Sequence, residues 1–263
     1  RVNFLIERLA KYRHQVMFVG PTGTGKSVYV ANYLAGLDAD KFQNIGISFT
    51  AQTSANQCQD IIDLKLDKRR KGVFGPPMGK RCVIFVDDLS MPAKEFYGAQ
   101  PPIELLRQYM DHQGWYDRKE NVFRELVDIQ FVCASAPPGG GRNTVTARLL
   151  RHFNVIAINE FDDDALKRIY RTILKWHLDT KKFTPDVTKH LDSVVSGTAE
   201  IYRAAQSQLL PTPAKSHYLF NLRDYSRVIQ GILLTDGNHV KDGSSFLRLW
   251  VHEIMRVFSD RLV

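Results

Sequence analysis

Hydrophobic positions follow two different rhythms along the chain. Up to about residue 159, short apolar runs alternate with segments of helical period. The runs are "QVMFVG" (15–20), "NIGISFTA" (44–51), "RCVIFVDDL" (81–89), "DIQFVCASA" (128–136) and "FNVIAINEF" (153–161). Nearly continuous apolar runs of this length suit strands covered on both faces, as in a parallel sheet. Between them, "SVYVANYLAGL", "SANQCQDIIDLKLDKRR" and "PPIELLRQYMDHQGWYD" carry the spacing of crossover helices. The pattern predicts an α/β fold: a parallel five-stranded sheet sandwiched by helices, in the doubly wound manner.

From residue 160 the strand-like runs stop and only helical periods remain. "DDDALKRIYRTILKWHL" opens on capping acids. "TPDVTKHLDSVVSGTAEIYRAAQSQLL", "NLRDYSRVIQGILL" and "SSFLRLWVHEIMRVFSDRLV" repeat the pattern, with "PTPAKSHY" and "TDGNHVKDG" as turns between them. The expected division is an α/β domain over 1–159 and a helical domain over 160–263, without internal repeats.

Composition narrows the class. With 263 residues, 44% hydrophobic and 24% charged, the chain has the makeup of an ordinary soluble protein with a real core. No apolar run approaches bilayer length, and "RVNFLIERLAKYRHQ" lacks the apolar region of a secretory signal. The expectation is a cytoplasmic protein without a membrane partner. Cys58, Cys82 and Cys133 have neither metal-ligand nor redox spacing and are expected to be reduced, buried and structural. The net charge of +8 permits an acidic partner. Its longest basic cluster, "KLDKRRKG" (65–72), falls on an apparently helical stretch before a loop, and no aromatic residues interleave with it. That favours a solvated face or a contact with an acidic module over nucleic acid.

Candidate chemistry starts at "GPTGTGKS" (20–27), a Walker A pattern between a strand and a helix. Gly20, Gly23 and Gly25 let the backbone approach phosphate oxygens, and Pro21, Thr22 and Thr24 complete the loop. Lys26 reaches the outer phosphates, and Ser27 offers a hydroxyl to Mg2+. The ligand class is therefore ATP or ADP with Mg2+. The strand "CVIFVDD" ends in Asp87, placed to orient the metal, and in Asp88, where many ATPases have a glutamate that polarises the attacking water. Aspartate is one methylene shorter, which predicts slow hydrolysis; the alternative is that Asp88 only caps the strand end. In "SAPPGGGRNTVTARLLRHF" (135–153), Arg148 and Arg151 lie three apart on a helical turn and suit the phosphate of an adjacent subunit, or else ordinary surface ion pairs. In "FNLRDYSRVIQG" (220–231), Asn221 reads as an N-cap and puts Arg223 in the first turn. A cation there opposes the helix dipole and calls for an anion, either phosphate or a local carboxylate such as Asp224.

These elements, in this order, resemble an AAA+ P-loop NTPase with a helical lid. "FVDDLSMPAKEFYGAQPPIELLRQYMDHQGWYD", "PPGGGRNTVTARLLRHFN", "FNLRDYSRVIQGIL" and "LWVHEIMRVFSDRL" are similar to the motor ring of a dynein heavy chain, specifically the third of its six AAA+ modules in an axonemal isoform. In that ring the first module usually carries Thr after the Walker lysine and the fourth Gln, where this chain has Ser27. The resemblance implies that Arg223 is sensor 2, that Arg148 or Arg151 is the arginine finger, and that Ala136 stands at the sensor 1 position, often an Asn. It also implies a regulatory site that binds nucleotide and hydrolyses it slowly. The implied partners are neighbouring AAA+ modules of the same heavy chain, other dynein subunits, and microtubules only through the full-length motor. The chain would then be a fragment without linker, stalk or tail, working in the cytoskeleton of a ciliary or flagellar axoneme. The competing readings are a stand-alone AAA+ remodelling ATPase and a non-hydrolysing nucleotide-binding module.

Overall fold

The structure, a computed structural model, describes residues 1–139, 143–215 and 217–262. It divides into two units: Arg1–Pro21 with Gly25–Asn159, and Thr22–Thr24 with Glu160–Val263.

In the first unit the chain runs α1 (Val2–Lys11), β1 (Gln15–Val19), α2 (Lys26–Ala35), β2 (Phe42–Ser48), α3 (Ala55–Asp63), β3 (Asp67–Arg70), β4 (Val73–Gly75), β5 (Arg81–Asp87), α4 (Pro101–His112), β6 (Gly114–Tyr116), β7 (Phe123–Leu126), β8 (Ile129–Ser135), α5 (Ala147–Leu150) and β9 (Phe153–Ala157). The main sheet has the order β2-β5-β8-β1-β9, and every neighbouring pair is parallel. Its five strands are the five apolar runs of the sequence. Successive side chains on a strand point to opposite faces. Met17, Ile84, Phe131 and Cys133 accordingly enter one core with α3 and α4, while Val16, Phe18, Val83 and Val132 enter another with α1 and α2. Every residue of β8 is buried, as the third of five strands requires.

A second sheet, β3-β4-β7-β6, corrects the expectation for the basic cluster. Helix α3, opened by a capping box between Ser54 and Gln57, ends at Asp63. "DKRR" is strand β3, which turns through Gly72 at φ +78° to pair antiparallel with β4. β6 and β7 form a second antiparallel hairpin, and β4 pairs with β7 in parallel. The side chain of Arg69 folds back to the carbonyls of Pro76 and Lys80 and to Asp128, while Lys65, Lys68 and Lys71 are exposed.

The second unit contains α6 (Asp163–Thr180), α7 (Pro185–Thr188), α8 (Leu191–Gln208), α9 (Leu222–Leu233) and α10 (Gly243–Val257), then a 3-10 turn at Ser259–Arg261. Asp162 caps α6 by accepting from the Ala165 N–H, so the acidic start of that segment acts as the sequence suggests. The stretch 184–210, one helical pattern in sequence, is split into α7 and α8. Leu174, Val194, Val228, Ile232 and Phe246 are fully buried between the helices. Tyr170 stacks on Tyr225 at 4.3 Å, and the Tyr225 hydroxyl donates to the Val195 carbonyl. Among the described residues, no helix is long and apolar enough to cross a membrane.

Candidate functional site

Strand β1 delivers the Walker loop at the carboxyl end of the main sheet, where ligands of open α/β sheets bind. The Gly20 N–H donates to the Ser135 carbonyl at 3.3 Å. A Cβ on Gly20 would lie 2.2 Å from the Ile158 backbone oxygen, so the base of the loop fits only glycine. Gly25 is in the left-handed region, at φ +85°, and is the N-cap of α2. Gly25 has no side chain with which to cap that end, and the first turn carries no acid. The positive end of the helix dipole, with no acid in the first turn, therefore suits an anion from outside the helix. Lys26 and Ser27 are the first two residues of α2. The Lys26 ammonium donates to the carbonyls of Gly20 at 2.7 Å and Pro21 at 2.6 Å, arching over the loop.

Asp87 closes β5. Its backbone carbonyl accepts from the Phe49 N–H, and its Oδ1 accepts from the N–H of Asp88 at 3.0 Å. Asp88 has φ +52° and an exposed side chain, so the chain leaves the strand sharply at this residue. The Leu89 N–H then returns to the Ala134 carbonyl and keeps the ends of β5 and β8 level. At the end of β8, Ala136 is buried and contributes no polar side chain. Sequence reasoning passed over its neighbour Ser135, which is 1% exposed, accepts from Gly20 through its carbonyl and donates its hydroxyl to the Ala136 carbonyl. The signal available was a polar residue ending an otherwise apolar strand.

These residues fit a Mg2+ nucleotide. Among the described residues, no group of three or more His, Cys, Asp or Glu forms a metal cage. A magnesium ion held mainly by phosphates and water, with one hydroxyl and one carboxylate, does not need such a cage.

Arg148 and Arg151 part company in the structure. Arg151, the C-cap of α5, pairs with Asp111, which also receives Arg107 and His152. The Arg151 hydrogen bond is the main cause that holds the Asp111 carboxyl below its ordinary range. Arg148 is exposed and has no ion pair among the described residues. Residues 140–142 of the glycine-rich stretch before α5 lie outside the described residues.

In the second unit, Asn221 caps α9 as the sequence suggests, accepting from the Arg223 N–H at 2.8 Å. Asp224 completes a capping box by accepting from the Asn221 N–H at 3.0 Å. Asp224, the local carboxylate expected as an alternative anion for Arg223, does not pair with it: Asp224 is buried and pairs with Arg261 at 2.9 Å and Arg227 at 3.5 Å. Arg223 is exposed and has no ion pair among the described residues.

The three cysteines are free and buried, as expected. Burial pushes the thiols of Cys58 and Cys82 up to about 12, and that of Cys133 higher still.

Comparison with known proteins supplies the context. Residues 1–161 match the family described as P-loop containing dynein motor region, and residues 169–263 match the dynein heavy chain ATPase lid domain. Over all of its length the chain is 52% identical to dynein axonemal heavy chain 3 of Mus musculus. It is 53% identical to dynein axonemal heavy chain 12 of Rattus norvegicus and 53% identical to dynein axonemal heavy chain 1 of Homo sapiens. It spans 6%, 8% and 6% of those proteins respectively.

Proposed function

The chain belongs to the P-loop containing dynein motor region family, and on that premise we propose that it is the third AAA+ module of an axonemal heavy chain, binding ATP tightly and hydrolysing it slowly. The observation that carries binding is the N-terminus of α2, which opens on the left-handed Gly25 with Lys26 and Ser27 in a first turn that carries no acid. The observation that carries slow turnover is the pair Asp88 and Ala136: a carboxylate on a short arm where a longer base would reach water, and no polar side chain on the residue just before the two prolines. Ser27, where the first module of the ring usually has Thr and the fourth Gln, supports the third position.

In this reading residues 1–159 bind nucleotide and residues 160–263 form the lid. The N–H groups of residues 20–27 and the ammonium of Lys26 hold the phosphates. Ser27 and Asp87 hold Mg2+, which when bound neutralises charge building up on the transferred phosphoryl group. Asp88 accepts a proton from the attacking water, and Arg223 answers the anion that its place in the first turn of α9 calls for. Arg148, rather than Arg151, serves a neighbouring module as arginine finger, because Arg151 is committed to Asp111. The rest of the heavy chain supplies the microtubule contacts and the other dynein subunits, and the whole acts in the axoneme.

The test is ATP affinity and single-turnover hydrolysis on the 263-residue chain beside Lys26→Ala. Tight ATP binding lost in Lys26→Ala, with slow phosphate release, is expected. Failure to bind ATP, or fast turnover that rises with protein concentration as in a self-assembling ATPase, would overturn the reading.

A further inference from the structure

The guanidinium of Arg261 lies at a junction. One nitrogen, Nη1, pairs with Asp224 Oδ1 at 2.9 Å. The other, Nη2, donates to the carbonyls of His217 at 3.0 Å and Leu219 at 3.2 Å. Its central carbon sits 4.7 Å from the centre of the Phe220 ring, which in turn stacks on Phe258. A single side chain from the 3-10 turn at the end of the second unit therefore grips both the strand of chain that leads into α9 and the first turn of α9 itself. Asp224 is the other half of that grip. Its side chain is 4% exposed, and it bonds at once to the N-cap backbone and to Arg261.

Arg223 stands between two fixed residues of that turn, after Asn221 and before Asp224. Its backbone N–H is fixed by the Asn221 side chain, and its own side chain is exposed. The direction in which it presents its charge is set by the orientation of the first turn, and that turn is set by Asp224 and Arg261. A planar guanidinium with several fixed donors suits this task, since it orders several acceptors together.

We propose that Arg261, acting through Asp224, is a positioning residue for Arg223, so that the preference of the site for a triphosphate over a diphosphate depends on the 3-10 turn at Ser259–Arg261. The proposal rests on the assignment of Arg223 to the phosphates of the bound nucleotide. It implies reciprocity: a load that displaces the 3-10 turn weakens triphosphate binding, and a bound triphosphate stiffens the turn.

The experiment measures the affinities of the 263-residue chain for a fluorescent ATP analogue and the matching ADP analogue, and takes their ratio. Five proteins are compared with the native chain: Arg223→Ala, Arg261→Gln, those two together, Arg261→Lys, and Asp224→Asn, which keeps an acceptor for the N-cap but loses the charge. Arg223→Ala is expected to lower the preference for ATP by about tenfold, with Arg261→Gln and Asp224→Asn lowering it severalfold in the same direction. The double variant is expected to be no worse than Arg223→Ala alone, because residues acting as one unit are not additive. Arg261→Lys, which keeps the charge but not the fork, is expected to recover part of the preference.

A preference unchanged in Arg261→Gln while Arg223→Ala loses it would overturn the proposal and leave the assignment of Arg223 standing. Equal weakening of ATP and ADP, or full additivity in the double variant, would mark Arg261 as merely structural and also overturn it. An unchanged preference in Arg223→Ala would overturn the assignment of Arg223 and the proposal with it. Should Arg261→Gln fail to fold, Asp224→Asn decides in the same terms: a lowered preference supports the proposal and an unchanged one overturns it.

Discussion

The N–H of Asp88 donates to the carboxylate of Asp87, the residue before it, at 3.0 Å. The bond occupies one oxygen of Asp87 and holds Asp88 at φ +52°, where Asp and Asn are the best-tolerated residues after glycine. Lengthening the base therefore has opposite effects on rate and stability. Asp88→Glu is expected to speed single-turnover hydrolysis, because the longer arm reaches the water, and to lower stability by roughly 0.5 kcal/mol. Asp88→Asn should keep stability and ATP affinity while slowing hydrolysis further. Rapid-quench kinetics and urea titration on the same preparations check both halves.

The two arginines near α5 should separate cleanly by stability. Arg151→Ala removes an ion pair with Asp111 and should lower the urea midpoint slightly, while Arg148→Ala should leave it unchanged. In the complete heavy chain, only Arg148→Ala should slow hydrolysis at the neighbouring module, by about a thousandfold or more.

The same pair predicts a pH dependence. Asp111 is held below its ordinary range first by Arg151, Asp192 by Arg171, and Asp236 by Lys181. A carboxylate whose folded pKa is depressed stabilises the fold above the unfolded pKa, and this is lost as pH falls through the folded value. Stability should therefore decline as pH is lowered from about 5 towards 3. In Arg151→Ala the decline should be shallower, because the main cause of the Asp111 shift is gone. Urea midpoints across that range for both proteins provide the measurement.

Two glycines make opposite predictions. Gly20→Ala drives a Cβ to 2.2 Å from the Ile158 carbonyl oxygen, a backbone atom of the residue just past β9, whose N–H bonds to the Val19 carbonyl. It is expected to destabilise the chain by about 2–3 kcal/mol and to abolish nucleotide binding. Gly36, with φ −84° and no atom closer than 3.5 Å to an added Cβ, should accept alanine and gain up to about 1 kcal/mol. Thermal unfolding of the two variants decides.

The buried thiols predict a chemical silence. With Cys58 and Cys82 pushed up to about 12, a disulfide reagent should modify none of the three cysteines in the native chain, even near pH 9. All three should react once denaturant exposes them, at the rate of unfolding. Rapid native labelling would mean that the cores around them open locally.

The five main strands are visible in the sequence because burial on both faces demands an unbroken apolar run, and β8 shows that demand in every residue. The small sheet is hidden for the opposite reason. "DKRR" and "FREL" are short, charged and half exposed, and nothing local separates "DKRR" from the end of a basic helix. The Walker loop and the cap at Asn221 are local in sequence and can be read there. What distinguishes Arg151 from Arg148 is Asp111, forty residues away, and what removes Asp224 from Arg223 is Arg261, at the far end of the chain. Those facts exist only once the chain has folded.

The parallel pairing of β4 with β7 carries a practical consequence for building hybrids. Residues 67–75 and 114–126 leave the main sheet at two separate points, yet each hairpin completes the other's hydrogen-bonded edge. Anyone exchanging segments between related modules should transplant the two hairpins together. Moving one alone would place a foreign edge against a native one and leave strand register, rather than the intended sequence change, to decide the result.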